Sequence, residues 1–190
     1  MLIYLDANIV QYIADYEAFI FGTTPVPNNL KSGQFGEELQ ALRVLIEFAL
    51  EIETLEVANR WEVAAPVHLM KELQSGKPTD NQRDAYSLLK RAWADSNLHD
   101  RVKVSEAEIT SIERSLDALN LKHCADRKHL AEAITLQASW FLTCDKDILC
   151  KTRVYPKDIG VVEGVRVARP SECFQVLSAN PALGWSEHRW

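Results

Sequence analysis

The chain has 190 residues, of which 47% are hydrophobic and 25% charged, the balance of a folded globular domain rather than a disordered one. Seven glycines and seven prolines are too few for the many tight turns of an all-β sandwich or barrel, so helices are favoured. Twenty-one basic against 27 acidic residues give a net charge of −6, which counts against a broad nucleic-acid-binding face and leaves local chemistry, or chemistry that brings its own cations.

In chain order, Leu2–Leu5 is a short unbroken apolar run, the pattern of a strand buried on both faces. A helix is expected from about Asn8, and Thr23–Asn29, with Pro25 and Pro27, reads as a loop. Phe35, Leu39, Leu42, Leu45/Ile46 and Ala49 recur at three- and four-residue spacing and predict a long helix, with Arg43 and Glu47 paired one turn apart. Trp61–Ala65 is a second expected strand, stopped by Pro66, and Val67–Gln74 a helix closed by Gly76. Thr79-x-x-Gln82 forms a capping box ahead of a helix carrying Tyr86, Leu89 and Trp93. Val102–Val104 fits a short strand, and Ser105-x-x-Glu108 is a second capping box before Ile109, Ile112, Leu116 and Leu119. A helix over about Asp126–Ala138 leads into the apolar strand run Trp140–Thr143. One further short strand is expected within Val161–Val167, and Arg169-Pro170-Ser171-Glu172 opens a final helix. Residues 1–178 read as one domain and 179–190 as a C-terminal tail.

No segment approaches the ~18 uninterrupted apolar residues of a membrane span. The opening Met1-Leu2-Ile3-Tyr4-Leu5-Asp6 lacks a basic n-region, so no signal peptide is expected. Cys124, Cys144, Cys150 and Cys173 form no C-x-x-C pair. Reduced thiols in a cytoplasmic protein are the simplest expectation.

Strands alternating with helices predict an α/β fold with a mostly parallel sheet, helices on both faces and helix-rich insertions. Ligands gather outside the carboxyl ends of such strands. Asp6 directly follows the first strand, and Asp145 and Asp147 follow Leu142-Thr143-Cys144. Asp126 opens the helix leading to that strand, and Glu72 lies in the helix after the second strand. Singly, each has an ordinary structural explanation: a helix cap for Asp6, a macrodipole partner for Asp126, loop formers for Asp145 and Asp147, a solvated charge for Glu72. Together at one sheet edge they repel one another unless a cation compensates. Hard oxygen donors suit Mg²⁺ or Mn²⁺ rather than Zn²⁺.

These segments resemble a known family. Leu5-Asp6-Ala7-Asn8 is similar to the opening L-D-x-N motif of PIN-domain nucleases, and Met70-Lys71-Glu72-Leu73 to their helix-borne acidic motif. The segment from Asp126 through Ala131 to Ala133 resembles D-x-x-x-x-A-x-A, Thr143-Cys144-Asp145-Lys146-Asp147 resembles T-x-D-x-D, and the stretch from Val167 to Glu172 resembles the strand-then-Pro-x-E ending. The resemblance covers roughly residues 2–175. It implies a Rossmann-like α/β/α sandwich and a Mg²⁺- or Mn²⁺-dependent ribonuclease. By position, Asp6, Glu72, Asp126 and Asp145 match the acidic quartet, with Asp147 as auxiliary ligand and Asn8 and Thr143 as the residues that orient the carboxylates. The small toxins of bacterial toxin–antitoxin pairs (VapC-type) belong to this family, so the expected partners are RNA, an antitoxin protein and a second copy in a homodimer, with no membrane. This chain departs in having Ala7 where Thr or Ser is common, and in the 66 residues that separate Asp6 from Glu72.

Arg127, Lys128 and Lys146 flank the acidic motifs and are the expected substrate-phosphate contacts, within a basic concentration that includes Lys122, Lys151, Arg153 and Lys157. His123, Cys124 and His129 lie near Asp126 without a second pair at zinc spacing; His129, three residues after Asp126, has two readings, an RNA contact near the site or, the simpler one, a surface histidine. Gly33-x-x-Gly36 lacks the strand and Lys of a phosphate loop, and no nucleophile elbow is present. The alternative from another class is a non-catalytic PIN-like module that binds a protein or RNA partner.

Overall fold

The computed structural model describes residues 1–22, 24–25, 28, 33–51, 62–64, 80, 83, 87 and 105–179. The expected helix at Val67–Gln74, the expected strand Val102–Val104, and the tail from 180 onward lie outside the residues it describes; of the helix expected after Thr79, Asp80, Arg83 and Ser87 are described and are helical.

Within them the fold is α/β. Strand β1 (Leu2–Leu5) leads through Asp6 into α1 (Ala7–Asp15), followed by the short α2 (Glu17–Ile20) and the long α3 (Gln34–Glu51). Strand β2 (Glu62–Ala64) lies within the expected Trp61–Ala65 run. After it come α4 (Glu106–Ser115), a 3-10 turn at Leu116–Leu119, α5 (Cys124–Thr135), β3 (Trp140–Leu142) and α6 (Lys146–Thr152). Strands β4 (Gly160–Val162) and β5 (Val165–Ala168) and helix α7 (Pro170–Ser178) complete the described chain.

One five-stranded sheet runs in the order β2-β1-β3-β5-β4. β2, β1, β3 and β5 are parallel, with Tyr4 beside Phe141 and Leu142 beside Ala168. β4 is the antiparallel edge strand, hairpinned onto β5. The single strand expected within Val161–Val167 is therefore corrected to a two-stranded hairpin. Glu163 (φ 47°) and Gly164 (φ 86°) both occupy the left-handed region, the two-residue turn whose twist matches a hairpin.

Side-chain alternation divides the core into two layers. Ile3, Leu5, Trp140 and Leu142 pack with α1, α2, α3 and α7, whereas Tyr4, Phe141, Val165 and Val167 pack with α4, α5 and α6. Both faces are thus covered, which explains why β1 and β3 read as unbroken apolar runs. The Glu108 carboxylate accepts from the Ser105 backbone N–H at 3.3 Å, as the predicted capping box requires. α5 spans Cys124–Thr135 rather than running to Ala138, and Gln137 (φ 54°) turns the chain into β3. Helix α6 is absent from the sequence-based expectation.

Candidate active site at the carboxyl edge of the sheet

β1 and β3 are neighbours, so the residues that follow them meet. Asp6 is 2% exposed and caps α1, its Oδ1 accepting from the Ala7 N–H at 2.8 Å. The ordinary structural role expected of Asp6 is thus real, and it coexists with a position at the functional edge. Oδ1 also faces His129 Nδ1 at 3.1 Å. Oδ2 accepts from Thr143 Oγ1 at 2.6 Å and from Asn8 Nδ2 at 2.5 Å. Three donors and the His129 ring nitrogen, a fourth donor when Nδ1 carries its proton, therefore meet two oxygens.

Thr143 is the hub. Its hydroxyl donates to Asp6 and accepts from Asn8 Nδ2 at 3.1 Å and from the Asp145 N–H at 3.0 Å. Asn8 Oδ1 accepts from the Cys144 N–H at 3.0 Å, closing a ring between the ends of β1 and β3. Asn8 and Thr143 thus contact and orient the Asp6 carboxylate.

Asp145 caps α6, its Oδ1 accepting from the N–H groups of Asp147 (2.7 Å) and Ile148 (3.2 Å). Asp147 Oδ2 accepts from the Lys122 N–H at 2.7 Å, which ties the start of α6 to the loop before α5. Asp126 stands in the first turn of α5. Burial raises its carboxyl pKa, to about 6, and the nearby charges of Asp6 and Asp145 push the same way, while His123 and His129 oppose. Its Oδ2 is enclosed and has no hydrogen-bond partner among the described residues. Glu72 lies outside the described residues.

Beside these groups is a cavity of about 410 Å³ lined in part by Asn8, Tyr12, His123, Asp145 and Asp147. Lys122 and Lys146 add cationic side chains to the same wall. Tyr12 is held there edge-on to Phe35, with ring centroids 4.8 Å apart. Cys144 also lines the cavity, and burial pushes its thiol up to about 12, so it is not a thiolate nucleophile. Of the expected phosphate contacts, Lys146 reaches this cavity, Arg127 lies 3.5 Å from Asp117 on another side, and Lys128 is only partly exposed.

The chain matches no protein-family model, no curated protein and no solved structure.

Among the described residues, no three His, Cys, Asp or Glu side chains are placed as a group for one ion. The donor set nonetheless fits a divalent cation of the Mg²⁺ class, which takes one or two carboxylates and completes its shell with water and phosphate oxygen. The orphaned Asp126 Oδ2, beside the charges of Asp6 and Asp145, is the position that such a cation would relieve.

Two residues escaped the sequence reading. His129 is not a surface histidine: it is 2% exposed and packed on Asp6. Its neighbours Arg127 and Lys128 disguise this, but Leu130, Ala131 and Ala133 around it are fully buried, and that apolar context was the available signal. Tyr12 carried no motif, and only its one-turn offset from Asn8 on α1 hints at the cavity.

Proposed function

We propose that the protein is a PIN-type, Mg²⁺- or Mn²⁺-dependent endoribonuclease. The observation that carries this reading is the convergence of Asp6, Asp126 and Asp145, from three separate segments, at the carboxyl edge of parallel strands, with an enclosed Asp126 oxygen left unpartnered among the described residues. Asp126 and Asp145 would hold the cation with Glu72 as the third carboxylate, while Asp6 supplies negative charge from its hydrogen-bonded cradle. When bound, the cation lowers the pKa of a water and offsets charge developing on a phosphodiester. Asn8 and Thr143 keep the Asp6 carboxylate from rotating. Lys122 and Lys146 give phosphate contacts at the cavity wall, and the acidic groups between them suit a basic antitoxin segment rich in Arg.

The test is cleavage of single-stranded RNA by the full chain with Mn²⁺, with EDTA, and in Asp126→Asn. Cleavage should require the metal and fall on the order of 10²-fold or more in the variant. Metal-dependent cleavage at the wild-type rate in Asp126→Asn refutes the mechanism. The occupation of Asp6 by three donors and the His129 ring favours one second reading, a non-catalytic module that binds a protein or RNA partner. Calorimetry showing no Mn²⁺ binding that depends on Asp126 selects it.

A further inference from the structure

α5 brings two polar groups to the sheet edge. Asp126 lies in its first turn, and His129 follows three residues later on the same face. His129 is buried among apolar residues, and a buried imidazole without a hydrogen bond would cost more than a leucine of similar volume. Among the described residues its ring meets Asp6, with Nδ1 at 3.1 Å from Oδ1. In its other three contacts Asp6 only accepts, so the matching role for the ring is donor, the tautomer with the proton on Nδ1. Ala7, Asn8 and Thr143 reach Asp6 from the ends of β1 and β3. His129 alone of the four groups reaches it from α5.

We propose that His129 is a positioning residue: its Nδ1–H fixes the Asp6 carboxylate from the helix that carries Asp126, so that the two carboxylates keep one relative placement. Within the nuclease reading on which this rests, the consequence is a fixed negative charge held beside the Asp126 ligand of the divalent cation. Side chains outside a metal's own ligand set that order the site in this way are typically worth about 10–100-fold in metal affinity.

The experiment is Mn²⁺ titration by calorimetry of the full chain, of His129→Leu and of His129→Asn, whose side-chain amide places a donor close to where Nδ1 stands. His129→Leu should bind Mn²⁺ about 10–100-fold more weakly, and His129→Asn should recover most of that loss. Unchanged or tighter binding by the Leu variant, or an Asn variant as weak as the Leu variant at the wild-type melting temperature, overturns the proposal. A parallel long-range ¹H–¹⁵N spectrum of the metal-free wild type reads the ring directly. Protonated Nδ1 supports the contact and an Nε2–H tautomer overturns it, even if His129→Leu fails to fold. Absence of Mn²⁺ binding by the wild type refutes the nuclease reading separately, and the ring spectrum then decides the Asp6–His129 pair on its own.

Discussion

The Thr143 hydroxyl joins Asp6, Asn8 and Asp145. It has one hydroxyl proton, and that proton goes to Asp6 Oδ2, leaving the lone pairs to accept from Asn8 and from the Asp145 N–H. Thr143→Val keeps the shape and removes all three contacts, leaving the buried Asp6 carboxylate short of a donor. The variant should lose about 1–3 kcal/mol of stability in urea unfolding, whereas Thr143→Ser should stay near wild type. Equal destabilisation of the two would mean that the methyl group rather than the hydroxyl matters. Asp6, Asn8 and Thr143 were all legible from sequence, because a polar residue directly after an apolar strand run must lie at the sheet's carboxyl edge. The burial of His129 was harder to read, because Arg127 and Lys128 on one side of it outweigh the apolar signal of Leu130, Ala131 and Ala133 on the other.

At the scale of elements, α6 and the β4–β5 hairpin show why some structure stayed hidden. Asp145-Lys146-Asp147 looks like loop chemistry, yet Asp145 is the cap of a seven-residue helix whose Ile148, Leu149 and Thr152 are buried. A helix that short has too few turns to display its period. The hairpin was hidden because the four valines of Val161–Val167 read as one short strand unless Glu163-Gly164 is taken as a turn. The N-terminus of α7 shows a different device. Glu38, buried on α3, accepts from the Ser171 N–H at 2.8 Å and from the Ser171 hydroxyl at 2.9 Å, while Glu172 accepts from the Arg169 N–H at 2.8 Å and from Arg153 at 2.5 Å. Two carboxylates thus satisfy helix-end donors that would otherwise be unpaired. Glu38→Ala should cost about 1–3 kcal/mol and loosen α7 from α3, seen as faster amide exchange in α7 than in α5. Uniform change across both helices would refute this local role.

For the whole molecule, the described sheet is the predicted parallel α/β arrangement with one antiparallel edge strand added, and no helix among the described residues is long and apolar enough to cross a membrane. The net charge of −6 includes groups held together at a cost. Burial, then repulsion from Asp6 and Asp145, lifts the Asp126 pKa from 3.8 to about 6. Burial likewise raises the Glu38 carboxyl above its ordinary value of 4.5, against the pull of the Ser171 hydrogen bonds. Between the unfolded and folded values the native state binds more protons, so these groups make stability fall as pH rises through roughly 4 to 6. At pH 7 without divalent ions, Asp126→Asn should therefore melt above wild type, and the gap should shrink as pH drops toward 4. A gap that is the same at both ends of that range would show that Asp126 is not electrostatically burdened.

The Thr143–Asp6 hydrogen bond joins residues 137 positions apart. Closing so long a loop carries a large entropic cost before any contact repays it, so no fragment of the chain can assemble the carboxylate cluster ahead of the pairing of β1 with β3. During synthesis the first of these acids is made early and stays inert until nearly three-quarters of the polypeptide has followed. Under the nuclease activity proposed above, that order of events would keep the nascent protein harmless to the message being translated.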